Sequence, residues 1–204
     1  MQPWQPLLDW WFAADELGAS ASASAVSAVR HGLWFGKRDS QDREAERRFA
    51  GQVEQALAGE LQGWADEAPG WLAQLILLDQ LPRMIFRDTP RAFAGDALSR
   101  PLLQAGLERG LDRALTPIQR VFAYLIFEHA EDLALQERAV ELFRCLLDEA
   151  AADDRAQFAS FLDFAERHQR VIARFGRFPH RNAILGRAST IEEQAFLREP
   201  GSRF

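Results

Sequence analysis

The sequence predicts an all-α fold: an array of antiparallel helices, about seven to nine of them, joined by short turns. Three observations carry this. Apolar residues recur at three-four spacing along most of the chain. No segment alternates apolar and polar residues as a half-buried strand does. Thr-Pro, Asp and Ser starts and Gly stops punctuate the periodic stretches.

The first helix is expected from Pro3 to Leu17, where Trp4, Leu7, Leu8, Trp11 and Phe12 share a face. Gly18 to Ser24 is a low-complexity Ala/Ser run and reads as a loop. Leu33-Trp34-Phe35-Gly36 follows as an aromatic anchor. Asp39 or Ser40 can cap a second helix that ends at Gly59, with Phe49, Val53 and Leu57 as its stripe. The third helix opens near Pro69. Trp71, Leu72, Leu75, Ile76 and Leu78 cover most of its surface, so it reads as the central buried helix, yet it carries Asp79-Gln80.

Thr89-Pro90 starts a fourth helix, which Pro101 should kink or restart and Gly110 should end. Thr116-Pro117 repeats the start signal for a fifth, with Val121, Phe122, Leu125 and Ile126, leading into Glu128-His129-Ala130-Glu131-Asp132. The sixth runs from Asp132 to about Ala150; within it Cys145, beside Leu146, reads as a core thiol. Asp153 or Asp154 caps a seventh that ends at Gly176, and Thr190-Ile191-Glu192-Glu193 is a capping box for a short last helix. No repeat near the period of 34 residues is visible.

The 204 residues suffice for a large core and are expected to form one domain, 1–204. Fifteen Phe and six Trp supply bulky buried surface. No run of eighteen apolar residues occurs, so no membrane span is expected. Met1-Gln2-Pro3-Trp4 does not resemble a secretory leader. The single cysteine allows no intramolecular disulfide or cysteine metal cluster, and a reducing cytoplasm fits. A net charge of −6 argues against general nucleic-acid binding. Lys37 is the sole lysine among 24 basic residues, so an arginine here is weaker evidence for bidentate recognition than usual.

Three polar residues interrupt apolar stripes: Asp79 among Leu72, Leu75 and Ile76; His129 after Phe122, Leu125 and Ile126; His168 between Ala165 and Ile172. A buried carboxylate costs several kcal/mol unless paired, so Asp79 requires partners. Arg83, Arg87 and the arginines near the C-terminus are the candidates. From His168 to Arg187 there are five arginines and no acid, whereas Glu128, Glu131 and Asp132 cluster elsewhere. Charge complementarity predicts that the C-terminal segment folds back on the third and fifth helices. Gly176, Pro179, Phe175 and Phe178 are accounted for by turning and pinning the chain. Arg177, His180, Arg181 and Asn182 are the least explained by packing.

Two readings compete. One is a structural ion network that staples the tail to the helices. The other is a polar pocket closed by residues 174–187, in which Asp79, Arg83, Glu128, His129, His168, Arg177, His180, Arg181 and Asn182 gather around a ligand. Glu128, His129, Asp132, His168 and His180 are acceptable metal ligands, but no dense ligand spacing occurs and no metal or cofactor is assigned. Phosphate-cradling, dinucleotide and nucleophile-elbow motifs are absent from the sequence.

Leu77-Leu78-Asp79-Gln80-Leu81-Pro82-Arg83, the run Arg87 to Ala97, Phe127-Glu128-His129-Ala130-Glu131-Asp132 with Gln136-Glu137, and Arg174-Phe175-Gly176-Arg177-Phe178-Pro179-His180-Arg181-Asn182 together resemble the bacterial domain of unknown function 924 family. Leu33-Trp34-Phe35-Gly36 and the Thr190 helix start are similar to it as well, so the resemblance covers nearly the whole chain. It implies a tetratricopeptide-like superhelical stack of helix pairs and no established activity. The family usually has Phe at Leu81, Asn at Met84, Ser at Ala130 and Pro near Ile126. The Asn and Ser replacements remove two polar groups from the expected site.

The functional expectation is a pocket for a small anionic metabolite or an acidic peptide terminus, with 174–204 as a C-terminal clamp. The alternatives are a scaffold that binds partner proteins along its groove, and a hydrolase or transferase built on a carboxylate–histidine pair.

Overall fold

The computed structural model describes residues 2–18 and 21–202. Among them are ten α-helices and no strand. The helices are α1 (Gln5–Phe12), α2 (Ala14–Leu17), α3 (Ala23–Phe35), α4 (Asp39–Leu57), α5 (Ala68–Ile85), α6 (Asp96–Glu108), α7 (Pro117–Glu128), α8 (Leu133–Glu149), α9 (Arg155–Phe175) and α10 (Ile191–Phe196). Short 3-10 turns link several of them. No helix among the described residues is long and apolar enough to cross a membrane.

Consecutive helices pack on one another: α4 on α5, α5 on α6, α7 on α8 and α8 on α9. Helix α5 is the axis, as its sequence predicts. Trp71, Leu72, Ala73, Leu75, Ile76, Leu77 and Leu81 are all fully buried, on every face of the helix, and α1, α4, α6 and α7 pack around it. Next to it, Trp11, Phe12 and Trp34 close on Phe122 with ring centroids 5.4, 5.5 and 4.6 Å away. This aromatic knot joins α1, α3 and α7.

Four expectations are corrected. The first helix is broken at Ala13, whose φ of 57° is left-handed, so α2 sets off in a new direction. Of the expected loop, Ala19 and Ser20 lie outside the described residues, and Ala23 and Ser24 already belong to α3. Ser22 caps α3 by accepting from the Ala25 N–H, and Val26, Leu33 and Trp34 hold it to the core. After Thr89, Pro90–Phe93 forms only a 3-10 turn; α6 starts at Asp96 and runs through Pro101 without restarting. Cys145 is exposed, not a core thiol. It stands two residues from buried Phe143, and about 200° of helical rotation puts it on the opposite face of α8.

Two local features position the polar groups at the ends of α5 and α9. Residue 82 is proline, so the Leu78 carbonyl has no N–H four residues on to accept from. Gly95 comes up against that carbonyl so closely that a Cβ there would lie 1.9 Å from it, and this contact sets Asp96 beside α5. At the other end, α9 stops at Gly176, whose φ of 68° is the left-handed C-cap expected of it. The chain then reverses through the 3-10 turn Pro179–Arg181, pinned by Phe178, which is fully buried against Val171 and Ile172.

Candidate functional site

Asp79 lies in the C-terminal half of α5 and is 1% exposed. Burial alone would raise its carboxyl, but Arg83 and His129 outweigh burial and hold it below the ordinary carboxylate range. The Arg83 Nη1 is 2.9 Å from Oδ1, one helical turn on. The Nδ1 of His129 is 2.9 Å from each carboxylate oxygen, and the Gln80 amide donates to Oδ2. Arg87, the other expected partner, instead makes two hydrogen bonds to Asp42 of α4, at 2.6 and 2.7 Å.

The second guanidinium nitrogen of Arg83 donates to Asp96 at 2.9 Å. Asp96 also receives Arg181, at 3.4 Å, and Arg181 donates from Nη2 to the His129 carbonyl at 3.1 Å. The contacts Asp79–Arg83–Asp96–Arg181–His129–Asp79 therefore close on themselves. The ring joins α5, the start of α6, the end of α7 and the C-terminal segment, and it is how that segment is folded back.

Arg181 is buried between the rings of Phe93 and Phe178, 4.8 and 4.5 Å from its guanidinium carbon. Its Nε has no hydrogen-bond acceptor among the described residues. Burial, reinforced by Arg83, pulls it down to about 10, and Asp96 restores only part of this.

His129 terminates α7, its N–H bonded to the Leu125 carbonyl at 2.8 Å. Gln136, fully buried on α8, fixes the same corner by donating to the carbonyls of Glu128 and Ala130. Burial lowers His129 more than Asp79 raises it, so its ring is neutral at pH 7. Glu128 faces His168 of α9, with Oε1 3.1 Å from Nδ1. The His168 Nδ1 donates to its own helix, at the Phe164 carbonyl, 2.9 Å away. Burial pushes Glu128 up to about 8, helped by the charge of Asp79, and pulls His168 down to about 3. Both shifts favour the uncharged form of each group. The rings of His129 and His168 are 6.3 Å apart. His180 packs at 5.6 Å on Phe178, and burial followed by Arg181 lowers it to about 3.

The candidates thus divide. Asp79, Arg83, His129 and Arg181 meet directly, with Glu128, His168 and His180 alongside. Arg177 and Asn182 do not join them. Arg177 is bidentate on Glu193 at 2.7 and 2.9 Å and also donates to the Ala188 carbonyl. Asn182 donates to Ser189 and Glu193 and accepts from Arg187. Arg187 grips Glu131 at 2.6 and 2.9 Å, and Glu131 accepts the Phe178 N–H at 2.8 Å. These contacts organise residues 177–193 internally and staple them to the α7–α8 corner.

Two participants carry no sequence signal as site residues. Asp96 sits in the first turn of α6, where an acid is ordinary. Glu193 fills the capping box its spacing from Thr190 predicts, and in addition holds Arg177, which takes its carboxyl down to about 2. Two surface depressions lie elsewhere, one of about 180 Å³ along α5 and α6 and one of about 390 Å³ beside Arg170 and Arg174. Among the described residues no group of three or more His, Cys, Asp or Glu is arranged to hold a metal ion.

A family model described as "Bacterial protein of unknown function (DUF924)" matches residues 7–201. A solved structure of a protein of unknown function from Agrobacterium tumefaciens is similar at 37% sequence identity, with a TM-score of 0.73, covering 87% of this chain and 99% of that one. No curated protein matches.

Proposed function

The chain belongs to this family of bacterial proteins of unknown function, DUF924, and from that premise we propose that it binds a small molecule bearing a carboxylate or a similar anion at the Arg181 corner. The observation that carries the reading is the state of Arg181. The residue is 6% exposed, its carboxylate is 3.4 Å away and shared with Arg83, and its Nε lacks an acceptor among the described residues. A buried cation left this weakly compensated gains from an added anion far more than a solvated one does. Arg177 and Arg187, each fully matched to one carboxylate, have no such need. The neighbours His129, Arg83 and Asp96 are 18, 19 and 21% exposed at their side chains, which gives an approach from solvent.

In this reading 1–204 is one tetratricopeptide-like domain working in the cytoplasm. Residues 174–204 are the clamp that carries Arg181 to α5 and α7. The rival, a purely structural staple, accounts for Arg177, Arg187 and the Arg181 contacts in the ring, but not for an Arg181 Nε left without an acceptor among the described residues.

The test is a thermal-shift and calorimetric titration with succinate, citrate, inorganic phosphate and a short peptide ending in Glu. A ligand at a hundred times its Kd adds about 2.7 kcal/mol of stability. Arg181→Met should fold and lose that gain. Equal binding by the variant, or no binding of any of these anions by the parent chain, overturns the assignment.

A further inference from the structure

His129 differs from the other histidines of the site in one respect. Its Nδ1 faces a carboxylate that cannot take up another role. Asp79 is fully buried and receives Arg83, Gln80 and His129 together. A carboxylate so supplied with donors stays ionised and accepts, which puts the imidazole proton on Nδ1 and the lone pair on Nε2. That Nε2 has no hydrogen-bond partner among the described residues, and the side chain is 18% exposed. The backbone on both sides is fixed: the His129 N–H by Leu125, its carbonyl by Arg181, and the flanking carbonyls by Gln136. His168 offers the contrast. Its Nδ1 goes to a helix carbonyl, and its ring is 5% exposed and packed at 5.5 Å against Phe178.

We propose that Asp79 and His129 form a general-base pair, making this corner a hydrolytic site for an ester whose acid portion carries a free carboxylate. The carboxylate handle rests on the anion reading of Arg181; the base does not. The step balances as ordinary hydrolysis. A water oxygen bonds to the ester carbonyl carbon while its proton passes to His129 Nε2. The imidazolium is held opposite Asp79. The bond to the leaving oxygen then breaks, that oxygen takes the proton from Nε2, and the products are the acid and the alcohol. His129 is the catalytic residue and Asp79 the positioning residue. The charged and titratable groups around the ring are Asp79 and Arg83 from α5, Asp96 from α6, Glu128 from α7, Glu131 from the α7–α8 corner, His168 from α9, and His180 and Arg181 from the C-terminal segment.

The experiment uses two chromogenic probes on the full chain: the mono-4-nitrophenyl ester of succinic acid and neutral 4-nitrophenyl acetate. Release of 4-nitrophenolate is expected from both. His129→Gln should reduce it about 100-fold or more. Asp79→Asn should reduce it and shift the pH profile, because the ring loses its tautomer control. Arg181→Met should raise KM for the succinyl ester more than for the acetate, since both esters share the ring that positions His129. If His129→Gln removes turnover and Arg181→Met affects the two esters equally, the base stands and the anion reading falls. If succinate binds through Arg181 but turnover is independent of His129, the base falls and the anion reading stands. A check that needs no variant is carbethoxylation of the parent protein with diethylpyrocarbonate, mapped by mass spectrometry. His129 should be modified before His168, and the reverse order overturns the proposal.

Discussion

Glu128 should make the protein less stable on the alkaline side of neutrality, by an amount that can be worked from its surroundings. Its carboxyl is 3% exposed on the last turn of α7. The His168 Nδ1, 3.1 Å away, has its proton directed to the Phe164 carbonyl; burial raises the carboxyl and Asp79 adds repulsion. The folded value of about 8 lies above the ordinary 4.5, so between these values the native state holds a proton that the unfolded state has released. The stability this confers is complete below the lower value and lost as pH rises through the upper. From about pH 7 to about pH 8 the loss integrates to about 1 kcal/mol, or about 2–4 °C in Tm for a chain of this size. Glu128→Gln keeps the shape of the protonated acid and cannot ionise. Urea or thermal unfolding at half-unit pH steps should therefore show the parent losing stability over this window relative to the variant. Parallel pH profiles for the two proteins would refute the claim that Glu128 is protonated in the fold.

Three further outcomes rest on the contacts that place the site. Arg187→Ala breaks a bidentate pair with Glu131 and a bond to the Phe178 carbonyl; a loss of about 1–3 kcal/mol is expected, with amide exchange rising first in residues 177–193. Gly95→Ala forces a Cβ against the Leu78 carbonyl, so α6 must shift; a cost of about 1–3 kcal/mol in urea unfolding is expected. Gly176→Ala meets no atom within 4 Å, and its cost of about 1–2 kcal/mol is conformational, since φ is 68°; Asn at the same position should recover part of the lost Tm.

The all-helical architecture is legible in the sequence because its signals are local. Thr116 and Thr190 form the capping boxes their sequences specify, and Gly176 the left-handed stop. Helix α3 is not, because an Ala/Ser run carries no apolar period; Val26, Leu33 and Trp34 bring it to the core through contacts distant in sequence. The break at Ala13 has no turn residue to announce it. Within the site, Asp79, His129 and His168 can be found because each interrupts an apolar stripe. Which arginine serves which acid cannot. Arg177, Arg181 and Arg187 lie within eleven residues of each other, and only the 3-10 turn at Pro179–Arg181 sends Arg181 inward while the others turn to Glu193 and Glu131.

That division bears on what the ionic contacts are for. Buried and half-buried ion pairs add little net stability, because the desolvation they cost nearly cancels the attraction they gain. Their geometric demand is not cancelled. The ring through Asp79, Arg83, Asp96, Arg181 and His129 has one register in which every link is 2.9 to 3.4 Å, and that register also fixes the imidazole of His129. Removing Arg181 therefore does more than delete a cation. It frees the His129 carbonyl and leaves Asp96 to Arg83 alone, which redistributes donors around Asp79. Coupling of this kind makes the effects of Arg83 and Arg181 substitutions non-additive, with an interaction energy of about 0.5–3 kcal/mol in a double-mutant cycle. The Arg177–Glu193 pair, which shares no member with the ring, should add independently. Ionic contacts that act independently of one another would show no difference between those two cycles.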